Sequence, residues 1–385
     1  MQFIKLVIRN TFRQKLRTVL TVFGMAVAIL AFCLLNTVLE AWYIGVNSAS
    51  PNRLVSRNAV SLIFPLPLSY RSKILQIPGV EQVAYANWFG GVYIDEHHFF
   101  PRMAISPDNY LALFPEFIIA PDELKAFQRQ RNACIAGRKL IEEYHWKLGD
   151  TITLTGNIYP GEWQFVLRGI YHGARNTVDE TAFFFSWNYL DETLKKISPT
   201  RAGNVGWYII QIKNPADAAQ ISQKIDALFK NSWAETLTET EKAFQAGFVS
   251  MTGAIVVALR VVSYVVIGVI LVILANTMAM TSRERMPEYA TLKTMGFGNR
   301  YLLMLIAGES VFISMLGGLV GIAVSFPVAK VFSQRLGTLL PVFAIQNRTI
   351  LLCLLVSLGI GAVSALIPFS RASRVRIAEA LRHVG

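Results

Sequence analysis

The residues of this sequence that could support metal binding or catalysis are few and scattered. Asp95-Glu96-His97-His98 is its one cluster of carboxylates and imidazoles. Adjacent residues of a strand point to opposite faces and rarely share an ion, so we interpret this cluster as a solvated turn. Cys33, Cys134 and Cys353 are far apart, and two of them lie in long apolar stretches. We therefore expect the cysteines to be small packing residues rather than a disulfide or a nucleophile.

No nucleotide-binding or hydrolase motif occurs in the chain. GxxxxGK[ST] is absent, and so are HExxH and GxSxG, which excludes an ATPase, a zincin or an α/β-hydrolase by motif. The long apolar stretches contain no His or Asp, so an intramembrane proton relay is not indicated. We predict no catalytic residue, no bound cofactor and no metal in this chain.

The stretch from 283 to 296 has residues suited to docking a soluble partner. Pro287 and Glu288 fit the first turn of a helix, and Gly296 fits its end. We predict a short charged helix within residues 282–299. Its side chains would contact the partner through two groups of residues. The charged group is Arg283, Glu284, Arg285, Glu288 and Lys293, and the apolar group is Tyr289, Leu292 and Met295.

Composition indicates the elements that must position this helix. Of the 385 residues, 53% are hydrophobic and 16% are charged, compared with about 25% charged in soluble domains. Four stretches contain 20 to 22 residues without a charge, which is the length needed to cross a bilayer. We predict transmembrane helices at 18–42, 251–281, 300–326 and 348–369. The first follows a basic segment of 17 residues, which is too long for a usual signal peptide, so we expect an uncleaved anchor.

The net charge of +12 is distributed unevenly along the chain. Residues 1–17, 281–300 and 369–385 together hold thirteen basic and three acidic residues, while 43–250 holds twenty of each. Basic residues concentrate on the cytoplasmic side of membrane proteins. We therefore place both termini and 282–299 in the cytoplasm, and 43–250 with the short loop 327–347 outside. Topology accounts for the basic residues, so we predict no nucleic-acid partner.

The two terminal segments are predicted to lie at the cytoplasmic surface. Lys5, Arg9 and Arg13 recur every four residues in 1–17, opposite the apolar Val7 and Ile8. This pattern favours an interfacial helix whose basic face meets lipid headgroups. Residues 370–385 form a cytoplasmic tail.

The long segment 43–250 has the pattern of a mixed α/β domain. Strand-like runs occur at 80–94, 133–137, 151–155, 164–171 and 208–212. We expect 164–171 to pair with 151–155 across the turn at 159–161. Residues 215–229 suit an amphipathic helix with Ala218, Ile221, Ile225 and Leu228 on one face. Residues 233–247 form a polar connector that we expect to be helical. The predicted fold class is an α-helical membrane protein with four transmembrane helices and a large extracytoplasmic α/β domain inserted between helices 1 and 2.

Several motifs, in this order, resemble the ABC transporter permeases of the macrolide-exporter, lipoprotein-release and cell-division group. These are the FtsX-like or MacB-like permeases, also called type VII or mechanotransmission transporters. The resemblance rests on four groups of residues: Asn276, Met278, Glu284, Arg285, Glu288 and 292–296; Leu16 to Gly24; Pro368, Ala372 and 378–382; and 137–140 followed by 148–151. It covers all four predicted spans and most of segment 43–250, which is similar to the MacB-like periplasmic core domain. Pro287 and Tyr289-Ala290 depart from the usual Arg and Ile-Gly of the family.

The resemblance implies a permease subunit without its own ATPase domain. A separate ABC ATPase would bind ATP and Mg²⁺, and its closure would move the periplasmic domain through the spans. The family implies a homodimer or a dimer with a paralogous permease in the bacterial inner membrane. A periplasmic adaptor and an outer-membrane channel are further partners that it implies.

Three functions remain open from the sequence. They are export or efflux of a substrate, extraction of a lipoprotein or lipid, and regulation of a cell-wall hydrolase without transport. The length of segment 43–250 disfavours the third. The neighbouring genes would distinguish the three: an adaptor, a lipoprotein chaperone or a hydrolase.

Small residues and one acid stand out within the spans. Small residues let helices approach closely in lipid. Gly317 and Gly321 form a small pair on span 3, and Ser357, Gly361 and Ala365 form another set on span 4. We expect Gly317 and Gly321 to pack spans within one protomer, and the resemblance assigns Gly24 and Ala28 to the dimer contact. Glu309 lies within about three turns of the cytoplasmic end of span 3, where it would join an interhelical hydrogen-bond set.

Overall fold

The computed structural model describes residues 2–335 and 342–373, and the side chains of 6–333 and 342–373. The described residues form two compact units. The first, here called the membrane unit, holds 2–41, 253–335 and 343–373, and the second, the inserted domain, holds Trp42–Thr252. The described residues include four helices long and apolar enough to cross a membrane: Leu6–Trp42, Gly253–Glu284, Asn299–Ser333 and Asn347–Ser373. The predicted fold class is confirmed.

The chain begins with two helices joined by one tight turn. Helix α1 is Gln2–Thr11, a 3₁₀ turn spans Phe12–Gln14, and α2 is Lys15–Trp42. The Thr18 hydroxyl donates to the Thr11 carbonyl across this turn, at 2.5 Å. The turn lies within the predicted segment 1–17, so Lys15 to Arg17 belong to α2 and not to the interfacial helix.

The inserted domain contains seven helices and thirteen strands. The helices are α3 (Ile44–Ser48), α4 (Tyr70–Leu75), α5 (Pro121–Arg129), α6 (Arg138–Tyr144), α7 (Trp187–Ile197), α8 (Ala218–Leu228) and α9 (Glu241–Met251). The strands are β1 (Arg53–Asn58), β2 (Leu66–Pro67), β3 (Val80–Trp88), β4 (Gly91–Val92), β5 (Arg102–Ile105), β6 (Phe117–Ile118), β7 (Ala133–Gly137), β8 (Thr151–Gly156), β9 (Gly161–Gly173), β10 (Phe183–Ser186), β11 (Asn204–Val205), β12 (Trp207–Ile212) and β13 (Thr236–Thr240).

One mixed sheet organises this domain. Its strand order is β13-β1-β12-β3-β5-β10-β7-β9-β8-β4, β6 pairs with β9, and β2 pairs with β11 separately. Side chains of a strand alternate between the two faces. Phe183 and Phe185 accordingly enter one hydrophobic core and Phe184 enters the other. The sheet is therefore covered on both faces.

The predicted pairing of 151–155 with 164–171 is confirmed. Strands β8 and β9 form an antiparallel hairpin that runs from the pair Thr151 and Val166 to the pair Gly156 and Gly161. Gly161 has φ +125°, a conformation that glycine adopts at no steric cost.

Two sequence expectations in this domain are wrong. The connector 233–247 is not helical throughout, because Thr236–Thr240 forms β13 and pairs with β1. Its β-branched threonines alternate and suit an edge strand. Leu228 is 49% exposed, whereas Ala218, Ile221 and Ile225 are buried as expected. The neighbouring Phe229, which is 1% exposed, fills the core in place of Leu228.

Five helices complete the membrane unit. They are α10 (Gly253–Glu284), α11 (Met286–Thr294), α12 (Asn299–Arg335), α13 (Asn347–Ser364) and α14 (Leu366–Ser373). Helix α12 continues through residues 327–335, which the sequence assigned to a loop, and it contains Pro327. The rest of the predicted loop up to residue 341, and the tail from 374 onward, lie outside the described residues. Helices α2, α10, α12 and α13 share one apolar core that includes Met25, Leu274, Ile313 and Ile360.

Candidate functional site: an ion-pair network at the basic end of the membrane unit

Helix α11 lies at the end of the membrane unit that carries Arg17, Arg285 and Lys293, here called the basic end. Pro287 is in its first turn, and Gly296 follows the helix with φ +90°. Glycine at this position lets the chain adopt the left-handed conformation that ends many helices. The helix therefore begins and ends where its sequence signals are.

One face of α11 packs against the membrane unit. Tyr289 is 2% exposed and Ala290 is fully buried. Tyr289 shares an apolar cluster with Val7 of α1 and with Leu302 and Leu305 of α12. Helix α11 is consequently an integral part of the membrane unit rather than a projecting loop.

Arg285 is the centre of a buried ion-pair network. Its Nη1 lies 2.6 Å from Oε1 of Glu309, and its Nε lies 2.9 Å from Oε2 of Glu288. Its guanidinium carbon is 5.5 Å from the centroid of the Tyr289 ring, within cation–π range. Glu309 is 3% exposed, so a charge there requires this partner.

The electrostatics favour the charged forms of Arg285 and Glu288. Burial alone would lower the pKa of Arg285, but the charges and hydrogen bonds of Glu309 and Glu288 outweigh it and raise that pKa. Burial would raise the pKa of Glu288, yet hydrogen bonds and ion pairs with Arg285 and Arg13 hold it below its usual value. The two groups therefore stay ionised near neutral pH.

The N-terminal segment supplies the outer part of the network. Arg13 forms an ion pair with Glu288. Arg17 binds Glu284 through two nitrogens, at 2.7 and 2.9 Å, and the Gln14 amide donates to the same carboxylate at 2.7 Å. Sequence reasoning placed Arg13 toward lipid and gave no role to Gln14 or Arg17. Because their partners are about 270 positions away, no local spacing signals these contacts.

Lys293 connects α11 to α14. Its Nζ donates to the carbonyl oxygens of Ala372 at 3.1 Å and of Ser373 at 2.8 Å. This contact completes a set of bonds from α11 to the N-terminal segment, α12 and α14.

The network borders a small polar cavity of about 140 Å³. Its lining includes Asn10, Arg17, Thr281, Arg285 and Glu309. A cavity of this size lined by polar side chains is large enough to hold water.

The structure divides the predicted coupling residues into two groups. Glu284, Arg285, Glu288 and Lys293 bond to the chain itself, as described above. Tyr289 is buried, and Leu292 is half-buried against the same apolar cluster. Arg283, Glu284 and Met295 of the predicted set are exposed, Met295 by 69%. Tyr289, Leu292 and Met295 therefore do not form one exposed apolar face.

The exposed surface of α11 follows a helical repeat. Pro287, Thr291 and Thr294 are exposed at positions i, i+4 and i+7. Met295 and the exposed Phe297 follow them, and the Phe297 ring lies 4.6 Å from that of Tyr301. Sequence reasoning missed Phe297, although an aromatic residue beside a helix-ending glycine was the available signal.

The small residues of the spans fall into two environments. A Cβ at Gly317 would lie 2.6 Å from Cβ of Met25, and one at Gly321 would lie 2.5 Å from the Ala26 carbonyl oxygen. Both glycines of α12 thus let α2 of the same chain approach closely. A Cβ at Gly361 would lie 2.2 Å from the Ser314 hydroxyl.

Gly24, the glycine assigned to the dimer contact, does not pack closely against another described helix of this chain. Outside its own helix backbone and its two chain neighbours, no described atom would lie within 4 Å of a Cβ at Gly24. Ala28, one turn further along α2, packs partly buried against the apolar core of the membrane unit. The two members of the predicted pair are therefore in different surroundings.

The other candidate residues of the sequence lie apart from this network. Asp95 accepts bonds from the backbone N–H groups of His97 and His98 and from the His98 ring, within one exposed turn. The part of the chain that the structure describes contains no group of three or more potential metal ligands. All three cysteines are buried.

Comparison with known proteins agrees with this architecture. Residues 18–228 match the family described as MacB-like periplasmic core domain, and 260–377 match the FtsX-like permease C-terminal family. The chain belongs to the MacB/FtsX-like family of ABC transporter permeases.

Individual relatives are also described as ABC transporter permeases. An uncharacterised ABC transporter permease of Methanocaldococcus jannaschii is 22% identical over 97% of this chain and 96% of its own length. One from Mycobacterium tuberculosis is 23% identical over 68% of this chain but 30% of its own length. A solved structure, the periplasmic region of MacB from Actinobacillus actinomycetemcomitans, aligns at 8% identity and a TM-score of 0.38. The alignment covers 53% of this chain and 95% of the solved MacB region.

Proposed function

We propose that this permease transmits movement from a separate ATPase subunit through α11 to its spans and inserted domain. The single observation that carries the proposal is the two-sided character of α11. Its inner face is bonded to the N-terminal segment, α12 and α14 through Glu288, Arg285 and Lys293. Its outer face is exposed and ends in Met295 and Phe297. An element that is fixed on one side and free on the other can receive a force and pass it on.

Different residues would bind the ATPase and transmit its movement. Exposed apolar side chains supply most of the binding energy at protein interfaces, whereas charge pairs mainly set specificity and rate. We assign binding of the ATPase to Met295 and Phe297, with Arg283 at the edge. Transmission is assigned to the inner contacts made by Arg285, Glu288 and Leu292.

The setting of this activity is the plasma membrane, with the basic end in the cytoplasm. The excess of Lys and Arg at that end supports this orientation. ATP and Mg²⁺ would be bound by the partner subunit, and two permease copies would act with two ATPase subunits. The work performed is export of a substrate, or its extraction from the outer leaflet, driven by movement of the inserted domain.

The binding role is tested with purified complexes in lipid. Met295→Ala combined with Phe297→Ala should weaken recovery of the ATPase about 30-fold, as expected for loss of about 2 kcal/mol at a hot spot. Met304→Ala is the matched control, because Met304 is 61% exposed but lies within the apolar stretch of α12. Equal recovery for the double variant and this control would refute the binding surface.

The transmission role predicts a different phenotype. Glu288→Ala and Leu292→Ala should leave complex recovery nearly unchanged while ATP turnover no longer responds to the permease. If both variants keep the wild-type turnover and cellular function, α11 serves only to stiffen the ends of the spans.

Orientation is tested by labelling introduced cysteines in intact cells. Ile63→Cys, at a position 90% exposed in the inserted domain, should react with an impermeant maleimide from outside. Met295→Cys should react only after the membrane is opened. The native cysteines are buried, so the unmodified chain is the blank. The reverse pattern would invert the proposed orientation.

A further inference from the structure

The short helix α4 of the inserted domain has two faces with different roles. Tyr70 and Ile74, which are four positions apart, are buried in the core of the domain. A second face has the spacing i, i+3, i+4 and i+7, and its residues are Leu68, Arg71, Ser72 and Leu75. Together with Tyr85 of β3, this face lines an open groove of about 260 Å³, here called the α4 groove.

Two contacts fix the position of Arg71 in the α4 groove. Its Nε donates to the Val83 carbonyl at 3.1 Å, and its guanidinium carbon lies 5.7 Å from the centroid of the Tyr85 ring. Among the described residues, no carboxylate pairs with Arg71 and no acceptor bonds to its two Nη groups. A guanidinium held through Nε can still present both Nη groups to a pair of oxygen atoms on a ligand.

Tyr85 brings a second donor to the same groove. The residue is 7% exposed, and its ring packs edge-on against Trp187 with centroids 5.1 Å apart. In the part of the chain that the structure describes, no residue bonds to its hydroxyl. Burial raises the pKa of Tyr85, the charge of Arg71 opposes that rise, and Asp108 and Asp191 add to it. The hydroxyl therefore stays protonated near neutral pH and can donate a hydrogen bond.

We propose that the α4 groove binds a carboxylate that carries a short aliphatic group. The two Nη groups of Arg71 would donate to the two carboxylate oxygens, and the Tyr85 hydroxyl would donate to one of them. Leu68 is partly buried and Leu75 is 40% exposed, so both would gain apolar contact with the aliphatic group. A fatty acid and the C-terminus of a peptide with an apolar last residue share this chemistry.

The charges around the groove favour a ligand with a single negative charge. Asp191 is already paired, because it lies 2.6 Å from Nζ of Lys195 and accepts the Gly203 N–H at 2.6 Å. Asp108 is exposed, and its charge also acts on Tyr85. One arginine beside these carboxylates suits a monoanion better than a phosphate dianion. The groove is smaller than the pockets of about 300 Å³ or more that hold drug-sized ligands, so it takes a small ligand or one end of a longer one.

The inference goes beyond the proposed function, because it concerns the inserted domain and does not involve α11. The first test therefore uses the full-length permease in lipid nanodiscs without an ATPase, and it measures binding of hexanoate by ligand-observed NMR, with empty nanodiscs as the blank. Hexanoate should bind saturably, and hexanol should bind at least tenfold more weakly. Hexyl phosphate at pH 8, where it is mainly a dianion, should also bind more weakly than hexanoate.

A second carboxylate identifies the source of the ligand. N-acetyl-leucine represents the C-terminus of a peptide, whereas hexanoate represents a fatty acid, and the tighter of the two indicates which source the groove prefers. Absence of saturable binding for both carboxylates would overturn the inference. Equal binding of hexanol, or tighter binding of hexyl phosphate, would also overturn it.

The second test assigns the binding to the two donors. Arg71→Met should weaken hexanoate binding about tenfold, as expected for loss of hydrogen bonds to a charged group. Lys73→Met is the matched control, because Lys73 is exposed on the same helix but does not line the groove, and it should bind like the wild type. Tyr85→Phe keeps the buried ring and should weaken binding about fivefold, with an unchanged melting temperature to show that the domain remains packed. Equal losses for Arg71→Met and Lys73→Met, or unchanged binding by either Arg71→Met or Tyr85→Phe, would refute the site.

Discussion

Each unit of the permease contains an arginine held between two glutamates, and the two triads differ in how completely they are enclosed. In the inserted domain, Arg53 lies 2.5 Å from Glu116 and 2.7 Å from Glu241 and donates to the Leu113 carbonyl. In the membrane unit, Arg285 lies between Glu288 and Glu309. Both arginines also face an aromatic ring.

The two triads differ in the further contact that the arginine makes and in the space around its ion pairs. Arg53 uses a backbone carbonyl and is enclosed by β1, α9 and the segment around Leu113. The Arg285 triad borders a cavity, and its Glu288 is 40% exposed and shared with Arg13. A closed triad fixes a fold, whereas an open triad can change partners when a neighbouring helix moves. Under the proposed function, the same chemistry stabilises the inserted domain and transmits movement in the membrane unit.

The largest effect is expected from breaking the closed triad. Arg53→Met leaves two carboxylates without a cation and should destabilise the inserted domain by about 3–5 kcal/mol. Arg57→Met is the control, because Arg57 is on the same strand but forms a partly exposed pair with Glu239 at 3.3 Å; it should cost less than about 1 kcal/mol. Urea unfolding of the full chain, followed by tryptophan fluorescence, measures both. Equal losses of unfolding free energy would show that Arg53 stabilises the domain no more than a partly exposed ion pair does.

An intermediate effect is expected from the open triad, where a double-mutant cycle identifies the critical pair. Arg285→Met leaves the buried Glu309 uncompensated, so it should be more harmful than the same change combined with Glu309→Gln. The coupling energy should be about 1–3 kcal/mol, measured by thermal unfolding in lipid. Additive losses would mean that the two side chains do not depend on one another.

The smallest effect concerns pH and the exposed member of the open triad. The pKa of Glu288 is lowered in the folded chain, so its pairing contributes fully above its unfolded pKa of about 4.3. The contribution is lost as pH falls through the lower folded value. It should be below about 1 kcal/mol, because Glu288 is partly exposed. The difference in melting temperature between wild type and Glu288→Gln should shrink below pH 4; a difference that persists there would exclude this ionisation as its source.

The bounds of α11 were predictable because they depend on local chemistry. Pro287, Glu288 and Gly296 act through the backbone of their own turn. The β8–β9 hairpin was predictable for the same reason. The connector at 233–247 was not, since Thr236–Thr240 becomes a strand only through pairing with β1, which lies about 180 residues earlier.

The direction that each side of α11 faces was not available from composition. The sequence shows Tyr289, Leu292 and Met295 as apolar, but it does not say which of them meet Val7 and α12. The partners of Arg285 and Lys293 likewise come from α12 and α14. Long-range packing therefore decided which predicted coupling residues are exposed.

The sequence by itself determined the four apolar helices, the α/β class of the inserted domain and the family, because hydropathy, periodicity and motif order are properties of neighbouring residues. Only the tertiary structure decided the ion-pair partners, the enclosure of Arg53 and the openness around Arg285. Those features depend on how the helices rotate about their axes when they pack. That rotation follows from the fit of side chains far apart in the chain, such as Gly317 against Met25.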